Sequence, residues 1–522
     1  MKDQTPKEAT AARLDALVGE ICTDLAARFP VCLASDEFHF FPHYMSDRRN
    51  WSRWDDFSDA GIQECLWNIS RWQERIERLS PHKSPSEVAE ALDMLTRTLT
   101  TLGEQLRYVQ PHKTQPTFCL TIVSIGLAEA LEHSRKAFEQ RARGLPGFLD
   151  AAMANFSRVP ILYRDMALEM LPGLRAWAAG LDLTGGERRN IDAAFERFGD
   201  HLGRVAPDPE FRLDLDLYTR IVDYHLGCRM GLDELAWHLD REIEAAVDQL
   251  SASARRIAPG KAWQSVFKSL PHPSPASNDV AALYESGIDQ LRRHGLEAGF
   301  LTTEAMAGCD VEVKIIPEHL RPVRADAAYS MPPGHPPRGG VFFIQPRDRQ
   351  PVPRDMMLLA AHETYPGHHL LDTRRWGHPR PLRRCLEFPL FYEGWASFGE
   401  EILFDTGFFS GPAHRLLSAK RRFWRAHRGR ADLNIHSGRW RPEEAAQALI
   451  ATGLANHDTA TAMVRRYALK PGYQLSYTIG RQKFRQIYTT YLDSGRKPAQ
   501  FIRDAVSHGE IGFDYLAQRL LG

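Results

Sequence analysis

The 522-residue chain carries no net charge, no cysteine pairing pattern and no apolar run long enough to cross a bilayer. Lys+Arg and Asp+Glu both number 66, so no global field draws in nucleic acid or an anionic membrane, and neither is expected as a partner. The seven cysteines, at positions 22, 32, 65, 119, 228, 309 and 385, are odd in number and show no CxxC spacing. That argues against a disulfide framework and against a thiolate metal site, and it suits a reducing compartment. The opening segment MKDQTPKEATAARLDALVGE lacks an apolar core of signal-peptide length. The most apolar stretch, Phe118 to Ala128, stops at Glu129, short of the roughly 20 residues a membrane span needs. A soluble cytoplasmic protein is the expectation.

What is present is a sequence of amphipathic helices. Leu14, Leu17, Val18, Ile21 and Leu25 form one apolar stripe, and Ile62, Leu66, Ile69, Trp72, Ile76 and Leu79 a second. Val88, Leu92, Leu95, Leu99, Leu102 and Leu106 form a third, with Ser84, Pro85 and Glu87 suited to its N-cap, N1 and N3 positions. The aromatic run FHFFPHYM (38–45) reads as a packed connection, because its histidines lack a helical ligand spacing. At this length two lobes are expected, with a boundary at the Pro271-His272-Pro273-Ser274-Pro275 linker: a helical lobe over 1–270 and a catalytic lobe over 271–522. Past the linker, Val311, Val313 and Ile315 alternate with Glu312 and Lys314 as a half-buried strand ended by Pro317. A Pro/Gly-rich loop, Met331 to Gly340, leads to a second short strand, Val341–Ile344. Helical patterning returns beyond 354, so the fold class is mainly α with a small β-element of short strands.

The chemistry concentrates in Met356-Met357-Leu358-Leu359-Ala360-Ala361-His362-Glu363-Thr364-Tyr365-Pro366-Gly367-His368-His369. In zincins, HExxH on a helix sets two imidazoles on one face to hold Zn²⁺, and the Glu activates a water. Here the position four after His362 is Pro366, which cannot bind metal. On a regular helix His369 shares the face of His362 but lies about 10.5 Å further along the axis, too far for one ion. Pro366 lacks the N–H that would bond to the carbonyl of His362, and Gly367 permits unusual dihedrals. A Pro-Gly bulge that loops out two residues makes HExx-PG-H equivalent to HExxH. His368 is then favoured as the second ligand, while a helix that restarts so as to bring His369 inward stays open.

Zinc needs a third protein ligand and an open position. Glu393, 25 residues after His368 in Phe391-Tyr392-Glu393-Gly394-Trp395-Ala396, offers one; the alternative is that Glu393 and Glu400 are solvated helix charges. Two later segments could supply transition-state donors: Arg425 to His436, where Asp432 and His436 share a helix face, and Pro471 to Gly480, which carries Tyr473 and Tyr477.

These segments resemble the bacterial family known as domain of unknown function 885 (DUF885), whose marks are HExxPGHH, an EGWA-type segment, an RxxxDxxxH-type helix and a PGxxxSYxxG segment. Here they read His362–His369, Glu393–Ala396, Arg428–His436 and Pro471–Gly480, in the family's order, with Tyr473 where members often have Gln. The resemblance implies a gluzincin-like plan, similar to the thimet-oligopeptidase and angiotensin-converting-enzyme groups: two helical lobes around a deep channel, and a later Tyr or His at the oxyanion. Tyr477 and His436 match that role best. Dipeptidyl peptidase III relatives tolerate an insertion in HExxH.

The resulting expectation is a zinc hydrolase acting on a small peptide or amide, with His362, His368 and Glu393 on the metal, Glu363 as base, and Tyr477 and His436 at the oxyanion. By the same likeness, Val341–Ile344 is expected to be an edge strand that receives an extended substrate by β-augmentation. The rival readings are a metal-dependent hydrolase or lyase of a non-peptide metabolite and a non-catalytic binding protein with a vestigial metal site.

Overall fold

The computed structural model describes residues 6–46, 50–79, 87–274, 279–303, 309–317, 327–345 and 351–522. Helices dominate, and the class is mainly α. The three stripes lie on the helices Pro6–Arg28, Asp59–Leu79 and Glu87–Glu104, the last continued by a wider turn over Gln105–Val109. Leu14, Leu25, Leu99 and Leu102 are fully buried, as the 3.6-residue period requires of an inward face. Ser84 and Pro85, the expected cap, lie outside the described residues, as does Pro275 of the linker. The largest apolar core draws on residues from Leu14 to Leu520, on both sides of position 270.

All seven cysteines are free and buried. Phe118–Ala128 lies in the helix Pro116–His133, where Phe118, Leu120, Ile122, Val123 and Leu127 are buried in the core. Among the described residues no single helix is long and apolar enough to cross a membrane; one pair passes that test only jointly, with its two arms bent by 88°.

The β-element is a three-stranded sheet. Val311–Ile315 is a strand as its alternation predicts, although Val313 is its only fully buried member and Ile315 is 44% exposed. It pairs in parallel with Gly340–Ile344, and the far side of Gly340–Ile344 pairs antiparallel with a strand not foreseen from sequence, Ala327–Ser330. The expectation for Val341–Ile344 is therefore overturned: it is the central strand, with both edges occupied, and offers no free hydrogen-bonding edge to a substrate. Ala327–Ser330 escapes a sequence reading because four residues carry too short an alternation to register.

Two helix pairs position the site. Leu232–Ile257 and Gly411–His436, each 26 residues long, lie along one another. Pro389–Asp405 is buried on every side and crosses Leu475–Asp493. At that crossing Gly394 meets Gly480: a Cβ on Gly394 would stand 2.6 Å from the Gly480 backbone, and one on Gly480 would run into the Leu390 carbonyl oxygen. Two backbones in contact bring Glu393 on one helix within reach of residues on the other. Gly480→Ala is therefore expected to destabilise by about 1–3 kcal/mol through overpacking, despite the better helix propensity of Ala. Gly173→Ala, at a helical position with open space, should be neutral or slightly stabilising. Chemical denaturation of both variants checks this; a neutral Gly480→Ala would show that the crossing is loose.

Candidate metal centre

The helix Met356–Glu363 delivers His362 and Glu363 at its C-terminal end, after six apolar residues that seat it in the core. The helical path is then interrupted over Thr364–Gly367 and resumes as His368–Gly377. Thr364 N–H still donates to Ala360 O (2.8 Å), Gly367 N–H reaches back to Ala361 O (3.1 Å), and Leu370 N–H bonds Thr364 O (3.2 Å). The last two bonds each span six residues where a regular helix spans four, so two extra residues are looped out, as the Pro-Gly bulge requires, and hydrogen bonds close across the gap. Only glycine fits at 367, because a Cβ there would run into the His362 carbonyl oxygen. Trp395 Nε1 donates to Pro366 O (2.8 Å), which fixes the loop to the buried helix beneath.

The interruption turns His368 onto the face of His362. Their rings stand nearly perpendicular, with centroids 4.7 Å apart. Glu393 Oε2 lies 3.4 Å from His362 Nε2 and 3.5 Å from His368 Nε2, and all three donor atoms fall within 4.8 Å of one another. Tetrahedral coordination with bonds of ~2.0–2.1 Å places neighbouring donors ~3.3–3.4 Å apart. Glu393 Oε2 is buried with no hydrogen-bond partner among the described residues. A buried carboxylate oxygen left unbonded between two imidazoles has the form of a vertex awaiting a cation. The two-nitrogen, one-oxygen set suits a divalent metal with an open position.

The other atoms of these residues are held from outside. His362 Nδ1 sits 3.1 Å from Glu400 Oε1 and 3.2 Å from Arg425 Nη2; in the tautomer with its N–H on Nδ1, directed at Glu400, the Nε2 lone pair faces Glu393. Arg421 binds both oxygens of Glu400 (2.7 and 3.0 Å), and Arg425 donates to Oε1 (2.6 Å). His368 stacks on Tyr392 (4.0 Å, 20°), whose hydroxyl donates to Asp372. The distal oxygen of Glu393 accepts from the Tyr473 hydroxyl (2.7 Å), and Tyr473 stacks in turn on His39.

Burial alone would raise Glu393, but the two imidazoles beside it outweigh that and hold its carboxyl well below the usual range. Burial likewise opposes ionisation of Glu400, and Arg421 and Arg425 overcome it. At Glu363 burial prevails: it pushes the carboxyl up to about 7, with the Glu393 charge adding to the rise and His368, Arg421 and Arg425 opposing it. A buried carboxyl poised near neutrality, next in the chain to His362 and within electrostatic reach of His368 and Glu393, is suited to accept and return a proton.

Tyr477 lies beside the centre. Its ring lies roughly parallel to that of His362 at 6.3 Å, with the Arg428 guanidinium 4.8 Å from the ring centre. Burial raises its hydroxyl pKa, Glu393 adds to the rise and Arg428 opposes it, so the phenol stays protonated and able to donate. His369 is turned away: Tyr329 OH lies 2.8 Å from its Nδ1, and its Nε2 bonds Cys309 O (3.0 Å). His436 is not brought to the donor set. It stacks on Tyr218 (5.3 Å), and its Nε2 bonds Tyr467 O (3.2 Å). Its partner on the same face, Asp432, accepts from the backbone N–H groups of Gly472 and Gln474 (2.8 and 2.9 Å), fixing the loop that presents Tyr473.

Sequence reasoning passed over Glu400 and Tyr473 as parts of the site. Glu400 stands seven residues after Glu393, two helical turns on the same face, and that spacing could have marked it. The Tyr473–Glu393 pairing spans 80 positions and leaves no local signal.

The family described as "Bacterial protein of unknown function (DUF885)" matches residues 43–520. No curated protein matches the chain. Among solved structures, one from Shewanella oneidensis, described as "a putative lipoprotein of unknown function", shares 15% identity at TM-score 0.73, over 98% of this chain and 100% of that one. A structure from Colwellia psychrerythraea, described as "the putative lipoprotein", shares 15% identity at TM-score 0.77, over 98% of each chain. At that identity the likeness concerns the fold.

Purified protein is expected to hold about one metal ion per chain, and His362→Ala, His368→Ala and Glu393→Ala to be isolated without it. His369→Ala should keep metal, and Glu400→Gln should weaken its binding about 10–100-fold. Metal analysis by emission spectroscopy decides: a metal-free His369→Ala beside a loaded His368→Ala would reverse the assignment.

Proposed function

The chain belongs to the bacterial DUF885 family, and from its own site residues we propose that it is a gluzincin-type, zinc-dependent hydrolase that cleaves a peptide or amide bond in a small peptide-like substrate. The observation that carries this reading is the approach of Glu393 Oε2 to both imidazole nitrogens at tetrahedral-edge distances, with Glu363 adjoining. A purely structural site needs no buried carboxyl poised near neutrality beside it. Zinc bound there supplies Lewis acidity, which lowers the pKa of a water toward neutrality and polarises a carbonyl.

The chain's own groups do the rest. Glu363 accepts the proton of the attacking water and passes it to the leaving amine. Tyr477, protonated and beside His362, donates to the oxygen on which charge develops. Tyr473 holds Glu393 in position and, with its hydroxyl on the distal carboxylate oxygen, keeps Oε2 free. Glu400 keeps His362 in the tautomer that presents Nε2. His362, Glu363, His368 and Glu393 are only 4–6% exposed, so a slim group reaches them and a folded protein surface does not.

A library of short peptides and acyl amino acids, read by mass spectrometry, tests the activity. Glu363→Gln is expected to keep its metal and lose hydrolysis. Tyr477→Phe should lower kcat by about 10²–10³ with little change in KM, the usual loss for one such donor. Near-normal turnover in metal-loaded Glu363→Gln removes the base role. Cleavage confined to non-peptide esters or lactams would move the substrate class while leaving the centre intact.

A further inference from the structure

Arginines that are buried or half-buried on the helix Gly411–His436 follow a rule with one exception. Arg421 and Arg425 pair with Glu400, Arg422 with Glu242 and Arg430 with Asp240. Arg428, on the side that faces the centre, has no carboxylate within ion-pair distance among the described residues. Its Nε and Nη2 both donate to the neutral Gln474 Oε1, at 3.0 Å for Nε. The guanidinium lies over the Tyr477 ring and beside that of Tyr467. Desolvating a guanidinium against neutral partners costs free energy that its neighbours recover through carboxylates. One edge of the fork is fixed by Gln474, so the guanidinium is held in a set orientation, as recognition of a planar anion requires.

We propose that Arg428 is the specificity residue of the site and binds a free carboxylate of the substrate, which makes the substrates small peptides or acyl amino acids cleaved close to an unblocked C-terminus. The argument rests on the hydrolase reading for the bond that breaks, but the anion site stands on Arg428 and Gln474 alone. Arg428 and His362 both lie against the ring of Tyr477, 4.8 and 6.3 Å from its centre. That bounds the carboxylate to within roughly three extended residues of the scissile bond. Tyr477 adjoins both the anchor and the donor set, where a bound substrate brings its carbonyl near the hydroxyl.

The test is binding of N-benzoylglycine and of N-benzoylglycinamide to the protein as purified, by titration calorimetry, which needs no turnover. The acid should bind and the amide should bind at least roughly 10-fold more weakly; Arg428→Gln should lose roughly 30-fold or more for the acid and bring it to the level of the amide. Gln474→Glu places a carboxylate on the same fork and should abolish the preference for the acid even where Arg428→Gln fails to fold. Equal affinity of acid and amide in the wild type, no binding of either, or an acid preference that survives either variant would overturn the proposal. A preference that survives both and vanishes on chelator treatment would place the carboxylate on the metal instead. Acid preference lost in both variants of a protein that hydrolyses nothing counts against the hydrolase reading and leaves the anion site standing.

Discussion

The imidazole of His362 is held between two carboxylates from one helix, Glu393 at Nε2 and Glu400 at Nδ1. Both acids are buried, and burying an unpaired carboxylate costs several kcal/mol. The two are compensated differently. Glu400 receives two guanidinium groups, whereas Glu393 has two neutral-capable imidazoles and a phenol, with no Lys or Arg within ion-pair distance among the described residues. The charge on Glu393 is thus left for a cation that the side chains do not supply. A seven-residue spacing on a single rigid helix sets both distances at once, so the helix that positions the ligand also positions the group that orients its neighbour.

Much of the surrounding sequence is explained by delivering that geometry. Gly367 exists for the pinched loop, and Gly394 and Gly480 for the contact of two helices. The DUF885-like segments are therefore more than ligand sets. In Arg428–His436, Arg428 and Asp432 both act on the 472–474 loop, one through Gln474 Oε1 and the other through two backbone N–H groups. His436, at the end of the same segment, contributes packing against Tyr218.

What the sequence made legible divides along range. The apolar stripes and the strand at Val311 rest on spacing within one segment, and the grouping of His362, His368 and Glu393 on two segments taken in chain order. The central position of Val341–Ile344 depends on the strand Ala327–Ser330, which shows no periodic pattern of its own. His436 shares a helix face with Asp432, but a helix face does not say which neighbour it meets. That His368 rather than His369 faces His362 was readable, as was the two-residue bulge, because proline chemistry and helical rise both bear on it; the anchoring of the loop by Trp395 and by the bonds that close across Gly367 was not.

The centre also depends on the first half of the chain. The FHFFPHYM run packs as a connection, and its histidines touch the site from outside. His39 stacks on Tyr473 and bonds Glu387 (2.7 Å), while His43 lies 2.8 Å from Arg375 Nη2. Arg375 stands one helical turn beyond Asp372, and it also binds Glu510 (2.8 Å) near the C-terminus. The Tyr473 hydroxyl that orients Glu393 is therefore braced by residue 39, and the Asp372–Tyr392 contact beneath His368 adjoins an ion cluster that reaches residues 43 and 510. A metal ion at Glu393 would be felt through these buried contacts on both sides of position 270, because buried polar networks cannot lose one member without leaving another unpaired.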